Sequence, residues 1–158
     1  MRPRHRSRIL AGLLVSTVLV LGVTGPAAAQ ERLTKQEFRK EANGLCRVAY
    51  DAIAEVFENT FAGSTPSVEL PPEQIAAAAN GALLLLRGML DRVEALDGPA
   101  TYERKVDRML DQYRVVAGDI EDDPQIIFDE GGIFGKPDKA AARLGLRRCV
   151  QEPSRLRD

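Results

Sequence analysis

The sequence has no tryptophan, two cysteines and a single histidine, His5. Everything beyond residue 5 is therefore without an imidazole. That removes Ser-His-Asp and Cys-His catalysis and every histidine-based metal site from the mature chain. Aromatic residues make up 5% of the chain, so a core has to be built from Leu, Val, Ile and Ala. No Cys-x-x-Cys occurs, and Cys46 and Cys149 are distant in sequence, which argues against thiol redox chemistry. Acidic residues are missing from the first eight positions, MRPRHRSR, which hold four arginines.

Those eight residues are followed by ILAGLLVSTVLVLGVTG, residues 9–25, without a charge, and then by PAAAQ. A basic segment, an apolar run and Ala27-x-Ala29 together form the pattern of a secretory signal peptide, residues 1–29, with cleavage expected after Ala29. The competing reading is a retained membrane anchor. The apolar run is short for a bilayer span and contains Gly12, Gly22 and Gly25, which favours cleavage. The basic segment has no adjacent arginine pair, so nothing indicates the twin-arginine route. No cysteine stands near the cleavage site, which removes amino-terminal lipid attachment. The expected protein is secreted or otherwise extracytoplasmic, with no stable membrane span after cleavage.

Cleavage takes four of the 22 basic residues and none of the 23 acidic ones, leaving 18 against 23 and a net charge of −5. An acidic balance argues against nucleic acid and anionic lipid head groups as partners, since both need clustered positive charge. The mature length corresponds to one domain, expected over residues 30–152, with a polar tail at 153–158. Export places Cys46 and Cys149 where disulfides persist. Two cysteines allow one intramolecular bond, the expected outcome here, against two free thiols or an intermolecular bridge.

Four helices are expected along the mature chain. In LTKQEFRKEANGLCRVAYDAIAEVFENTFAG, Thr34 and Glu37 have capping-box spacing, and Phe38, Ala42, Leu45, Ala49, Ile53 and Val56 make one apolar face with Cys46 at its border. LPPEQIAAAANGALLLLRGMLDRVEALDGP begins at Pro71-Pro72, ends at Gly98-Pro99 and is apolar almost all round its middle, which predicts burial on more than one side. The third, PATYERKVDRMLDQYRVVAGDIEDD, turns Tyr102, Val106, Met109, Tyr113 and Val116 inward and stops at Pro124. PQIIFDEGGIFGKP predicts a short helical turn and then a glycine-rich loop. KPDKAAARLGLRRCV predicts a fourth helix with Ala140, Ala141 and Leu144 inward, Gly145 as a left-handed cap and Leu146 folding back. No strand pattern and no repeat occurs. The fold class is all-α, an antiparallel four-helix bundle with one disulfide.

Three stretches invite a chemical reading. DIEDDPQIIFDE, residues 119–130, gathers carboxylates suited to a hard cation, but lacks the calcium-loop order of acidic positions; a solvated loop is the plainer account. GGIFGKP has three residues between Gly131 and Gly135 where a phosphate loop needs four, and Pro137 stands where the hydroxyl belongs. The LLLL at 83–86 suits a pocket for a lipid or other apolar ligand, with Tyr102 and Tyr113 as polar tips, although an ordinary core accounts for it too. A glycoside hydrolase built on two carboxylates needs a cleft that composition does not reveal.

The segments EANGLCRVAYDAI, the proline-led second helix ending in LDGP, and AARLGLRRC resemble a group of small exported or lipid-anchored helical proteins of high-GC Gram-positive bacteria. The resemblance implies a helical bundle with a Cys46–Cys149 bridge and carries over no catalytic residue, cofactor or metal. The expected function is a non-enzymatic binding or structural module of the envelope or extracellular space, acting on a protein partner. A carrier of a small apolar ligand is the first alternative and a carboxylate-dependent hydrolase the second.

Overall fold

The structure, a computed structural model, describes residues 32–62, 70–128 and 132–151. The expected signal peptide at 1–29, the tail at 153–158 and the glycine of the phosphate-loop look-alike at 131 lie outside the described residues. The described chain is all-α. It comprises α1 (Lys35–Thr60), α2 (Pro72–Glu94), α3 (Glu103–Asp122) and α4 (Gly135–Leu144), with short 3-10 helices at Pro124–Phe128 and Arg147–Cys149. No strand occurs among the described residues.

The local signals explain most of the boundaries. At the start of α1 the Thr34 amide donates to the Glu37 carboxylate at 2.9 Å, while the Glu37 amide donates to the Thr34 hydroxyl at 3.3 Å. This reciprocal pair satisfies donors that the first helical turn leaves open. Pro72 occupies the first position of α2, where its missing N–H costs nothing. That helix ends at Glu94, earlier than Gly98-Pro99, because the chain turns at residues 95–98: the Gly98 amide reaches the Leu96 carbonyl, and the Asp97 carbonyl accepts from Leu33 just before α1. Pro124 ends α3 as expected and opens the first 3-10 helix, whose Gln125 amide is capped by the Asp123 side chain at 3.1 Å. Gly145, at φ +80°, closes α4: its amide returns to the Ala142 carbonyl and that of Leu146 to Ala141, with Leu146 fully buried. This is the glycine-capped helix end the sequence predicts.

Helix α1 packs on α2, α2 on α3 and α3 on α4, while the 147–149 turn returns to α1 and the 124–128 turn covers α2 and α3. One continuous core results, from Phe38, Leu83, Leu86, Leu90, Met109, Leu110, Tyr113, Leu144 and Leu146, with smaller residues between them. The expected burial of α2 on more than one side holds for Leu83 and Leu86, but Leu84 is 75% exposed. Helices α1 and α3 and the 124–128 turn cover the other flanks of α2, and Leu84 points to the flank that none of them reaches. Gly81 permits the close approach of α1 to α2, since a Cβ there would lie 2.9 Å from Val56 Cγ1.

Cys46 and Cys149 form a disulfide across 103 positions, with their Cα atoms 4.9 Å apart and both residues buried. It has company. Arg39 Nε donates to the Leu144 carbonyl at 2.7 Å, the Asn43 side chain accepts from the Arg148 amide at 2.8 Å and donates to the Gly145 carbonyl, and the Tyr50 hydroxyl donates to the Cys149 carbonyl at 2.8 Å. One face of α1 thus binds residues 144–149 along more than two turns.

Candidate apolar cleft and its polar backing

An apolar concavity opens where the later part of α1 meets α2, the end of α3 and the 3-10 helix at 124–128. Ile53 and Phe57 contribute from α1, Leu83 and Leu86 from α2, Ile120 from α3, and Ile127, Ile133 and Phe134 from the connection to α4. The space is about 220 Å³ and partly open to solvent. Two of the five phenylalanines, Phe57 and Phe134, line it, and Phe61 and Phe128 continue from Phe57 by ring contacts. Phe57 and Phe61 have ring centroids 5.9 Å apart, Phe61 and Phe128 are 6.1 Å apart, and Phe134 leans on Tyr113 at 6.2 Å. Phe128 is 49% exposed. In a chain so poor in aromatics, this concentration is local rather than compositional.

Behind the cleft lies a polar cluster. Asp138, on the first turn of α4, is 1% exposed. Its Oδ1 accepts from the Tyr113 hydroxyl at 2.9 Å, and both carboxylate oxygens accept from the Gln151 amide at 3.1 Å. The Tyr113 hydroxyl also lies against the Cys149 carbonyl, which Tyr50 reaches as well. Tyr50 is partly exposed as a whole but turns its hydroxyl inward. Burial pushes the Tyr113 and Tyr50 hydroxyls above the ordinary phenol range, with the Asp138 charge adding to the effect at both. Gln151 and Phe134 belong to both features: each lines the cleft, and each touches the cluster. The cluster therefore fixes one wall of the cleft.

The sequence-predicted residues divide clearly. Leu83 and Leu86 line the cleft, whereas Leu84 and Leu85 belong to a shallow surface groove with Leu45 and Val48. Tyr113 backs the cleft. Tyr102 stands elsewhere, edge-on to Phe38 at 6.1 Å. Cys46 and Cys149 lie outside the cleft lining and hold the segment that carries Gln151. Asp138 was not singled out by pattern, because an aspartate in the first turn of a helix ordinarily faces water at the positive end of the helix dipole. Ile127 falls in the expected short helical turn and Ile133 and Phe134 in the glycine-rich loop, stretches too short or too irregular for a period to show which side chains turn inward.

No protein-family model matches the chain, and no curated protein or solved structure is significantly similar to it.

That geometry narrows the chemistry. Among the described residues no group of His, Cys, Asp or Glu side chains is arranged to hold a metal ion. Asp129 and Glu130 of the acidic stretch lie outside the described residues, Glu121 pairs with Arg87, and Asp123 caps a backbone amide. Glu121 is held below the ordinary carboxylate range by its hydrogen bond to Arg87, and Glu37 by its bonds to Thr34. A general acid requires the opposite shift. Both cysteines are consumed by the disulfide. No helix among the described residues is long and apolar enough to cross a membrane.

Proposed function

We propose that the protein is an extracytoplasmic, non-catalytic binding module that holds a compact apolar ligand in the cleft between Phe57, Leu83, Ile120 and Phe134. The observation that supports this reading is one partly open space of about 220 Å³ lined by Phe57, Phe134 and a set of Ile and Leu side chains, with Phe61 and Phe128 continuing the ring contacts outward from Phe57. An apolar cavity of about 150 Å³ accepts a single aromatic ring. Sites for drug-sized ligands start near 300 Å³. The fitting ligand is therefore one ring system or a short branched chain, not a whole lipid. The disulfide and the signal-like first 29 residues are compatible with work outside the cytoplasm.

Indole is a suitable probe, since the chain has no tryptophan to compete with its fluorescence. Saturable binding with a blue-shifted emission is the expected result. Ala82 also lines the cleft, and Ala82→Leu places a branched side chain in the space. It should abolish the binding while the melting temperature is kept. Non-saturable partitioning, or equal binding by the variant, would refute the reading.

A second reading, a protein partner of the envelope, rests on the outer flank of α1 and α2. Val48 is 57% exposed beside Leu84, and Leu45, Ala52 and Leu85 join them in a shallow apolar groove. Val48→Asp with Leu84→Asp should leave indole binding intact and break any such association, as read by co-purification from the envelope.

A further inference from the structure

The acidic net charge conceals a concentrated basic surface. Lys35 at the start of α1, Lys105 and Arg108 on α3, and Arg143 on α4 line one cleft of about 440 Å³. Arg104 stands in an adjoining hollow that shares Lys105 and Arg108. No acidic side chain lines either space. Among the described residues none of these five cations lies within 4.0 Å of a carboxylate; the ion pairs of the domain involve Arg32, Arg87 and Arg114 instead. Charges on α3 are sorted by flank. Glu103 and Asp107 line a separate depression with Arg32, and Asp111 is bonded to Arg114, while Arg104, Lys105 and Arg108 line the two basic spaces. The lining of the basic cleft also includes Tyr102, whose ring already carries the Lys35 ammonium 5.5 Å from its centroid, and the apolar Leu144 and Ala140.

Uncompensated cations brought this close repel one another, and an anion entering the cleft relieves that repulsion. A carboxylate needs one cation or two. Five, with planar guanidinium forks among them, suit a group that offers several acceptor oxygens and up to two charges. The dipole of α3, whose first turn lies at the cleft, adds to the positive potential. We propose that this cleft binds a phosphoryl group, carried on an organic body that rests against Tyr102 and Leu144. The site lies at the starts of α1 and α3, whereas the apolar cleft lies towards their ends, so neither proposal depends on the other. The same phosphoryl chemistry is offered by a soluble phosphate ester and by a phospholipid head group.

The test titrates the purified protein with inorganic pyrophosphate at low ionic strength, following backbone amides by NMR. A parallel arm sediments the protein with phosphatidylcholine vesicles made with and without phosphatidylglycerol. Amide shifts confined to residues 101–108 and 139–144 assign a soluble ester. Sedimentation that requires phosphatidylglycerol, without a pyrophosphate response, assigns the head group. In either case Arg108→Gln and Arg143→Gln should each weaken binding about tenfold, the loss expected for one charge-assisted hydrogen bond. Arg47→Gln, which removes the same charge about three turns along α1 from Lys35, should leave it unchanged. Lys105→Gln provides a further variant should either arginine substitution fail to fold. No response in either arm, or equal weakening by Arg47→Gln, overturns the proposal.

Discussion

Replacing Tyr113 by Phe removes one oxygen and keeps the ring, so it isolates the polar cluster behind the apolar cleft. Tyr113 is fully buried, and its hydroxyl donates to the buried Asp138 carboxylate at 2.9 Å. A hydrogen bond to a charged group contributes about 1.5–3 kcal/mol, and a buried acceptor left short of a donor adds a desolvation penalty to the loss. The substitution should therefore cost about 2–3 kcal/mol, a drop of roughly 8–12 °C in Tm for a domain of this size. The ring contact with Phe134 survives, so packing contributes little. Tyr102→Phe is the control. Tyr102 is also buried, but its hydroxyl makes no hydrogen bond among the described residues, and its loss should be near neutral. Urea unfolding gives the free energies, and a double-mutant cycle with Asp138→Asn separates the pair from the surroundings. A loss no larger than that of Tyr102→Phe, or a coupling energy of zero, would show that Asp138 does not depend on this hydroxyl and would remove the cluster as support for the cleft wall.

Three other outcomes follow from the same structure. Cys46→Ser and Cys149→Ser should each destabilise the domain by up to about 4.7 kcal/mol, the chain-entropy figure for a loop near a hundred residues; equal Tm values for both variants and the oxidised parent would contradict a stabilising bond. Gly145→Ala should cost about 1–2 kcal/mol for the left-handed backbone, and more because the new Cβ would lie 2.8 Å from Arg39 Nε, the donor to the Leu144 carbonyl; a neutral effect in urea unfolding would contradict the cap. Burial, chiefly, raises the Tyr113 and Tyr50 hydroxyls above the ordinary phenol pKa, so the unfolded chain loses these protons first. Their contribution to stability is complete below about pH 10 and declines above it; Tyr113→Phe should flatten that decline, and an unchanged alkaline slope would contradict the assignment.

Much of the fold could be read from short-range chemistry. Thr34 and Glu37, Pro72, Pro124 and Gly145 all mark helix ends where their physical properties place them, because capping and proline effects act within a few residues. The cysteine pairing followed from a count of two. The cleft was legible in part: Leu83 and Leu86 belong to it, but a run of four leucines has no period and does not say which of them turn outward. Asp138 was not legible, since its partners Tyr113 and Gln151 come from other segments and only tertiary packing brings them to it. The basic cleft was hidden for a related reason. Arg104, Lys105 and Arg108 alternate in sequence with Glu103 and Asp107, and the helix sorts them onto separate flanks. A net charge, −1 for the whole sequence and −5 for residues 30–158, counts the charges and discards their positions, so clustered positive charge is present where the composition argued for none.

The disulfide looks, in sequence, like a single tie across a long loop. In three dimensions it is the centre of a seam. Arg39, Asn43 and Tyr50 bond to residues 144–149 on either side of Cys46, and Asp138 takes the Gln151 amide just beyond Cys149. Every contact between α1 and this segment spans about a hundred residues, so each is entropically costly to form alone and much less so once one of them exists. The covalent bond makes one of them permanent. Position along the seam then matters for the cleft, because Gln151, two residues past the last backbone acceptor at Cys149, forms part of the wall of the apolar cleft. Loss of the bond should therefore be felt first at that wall, before the helices themselves separate, since α1 packs on α2 and α2 on α3 through many core side chains besides the two cysteines.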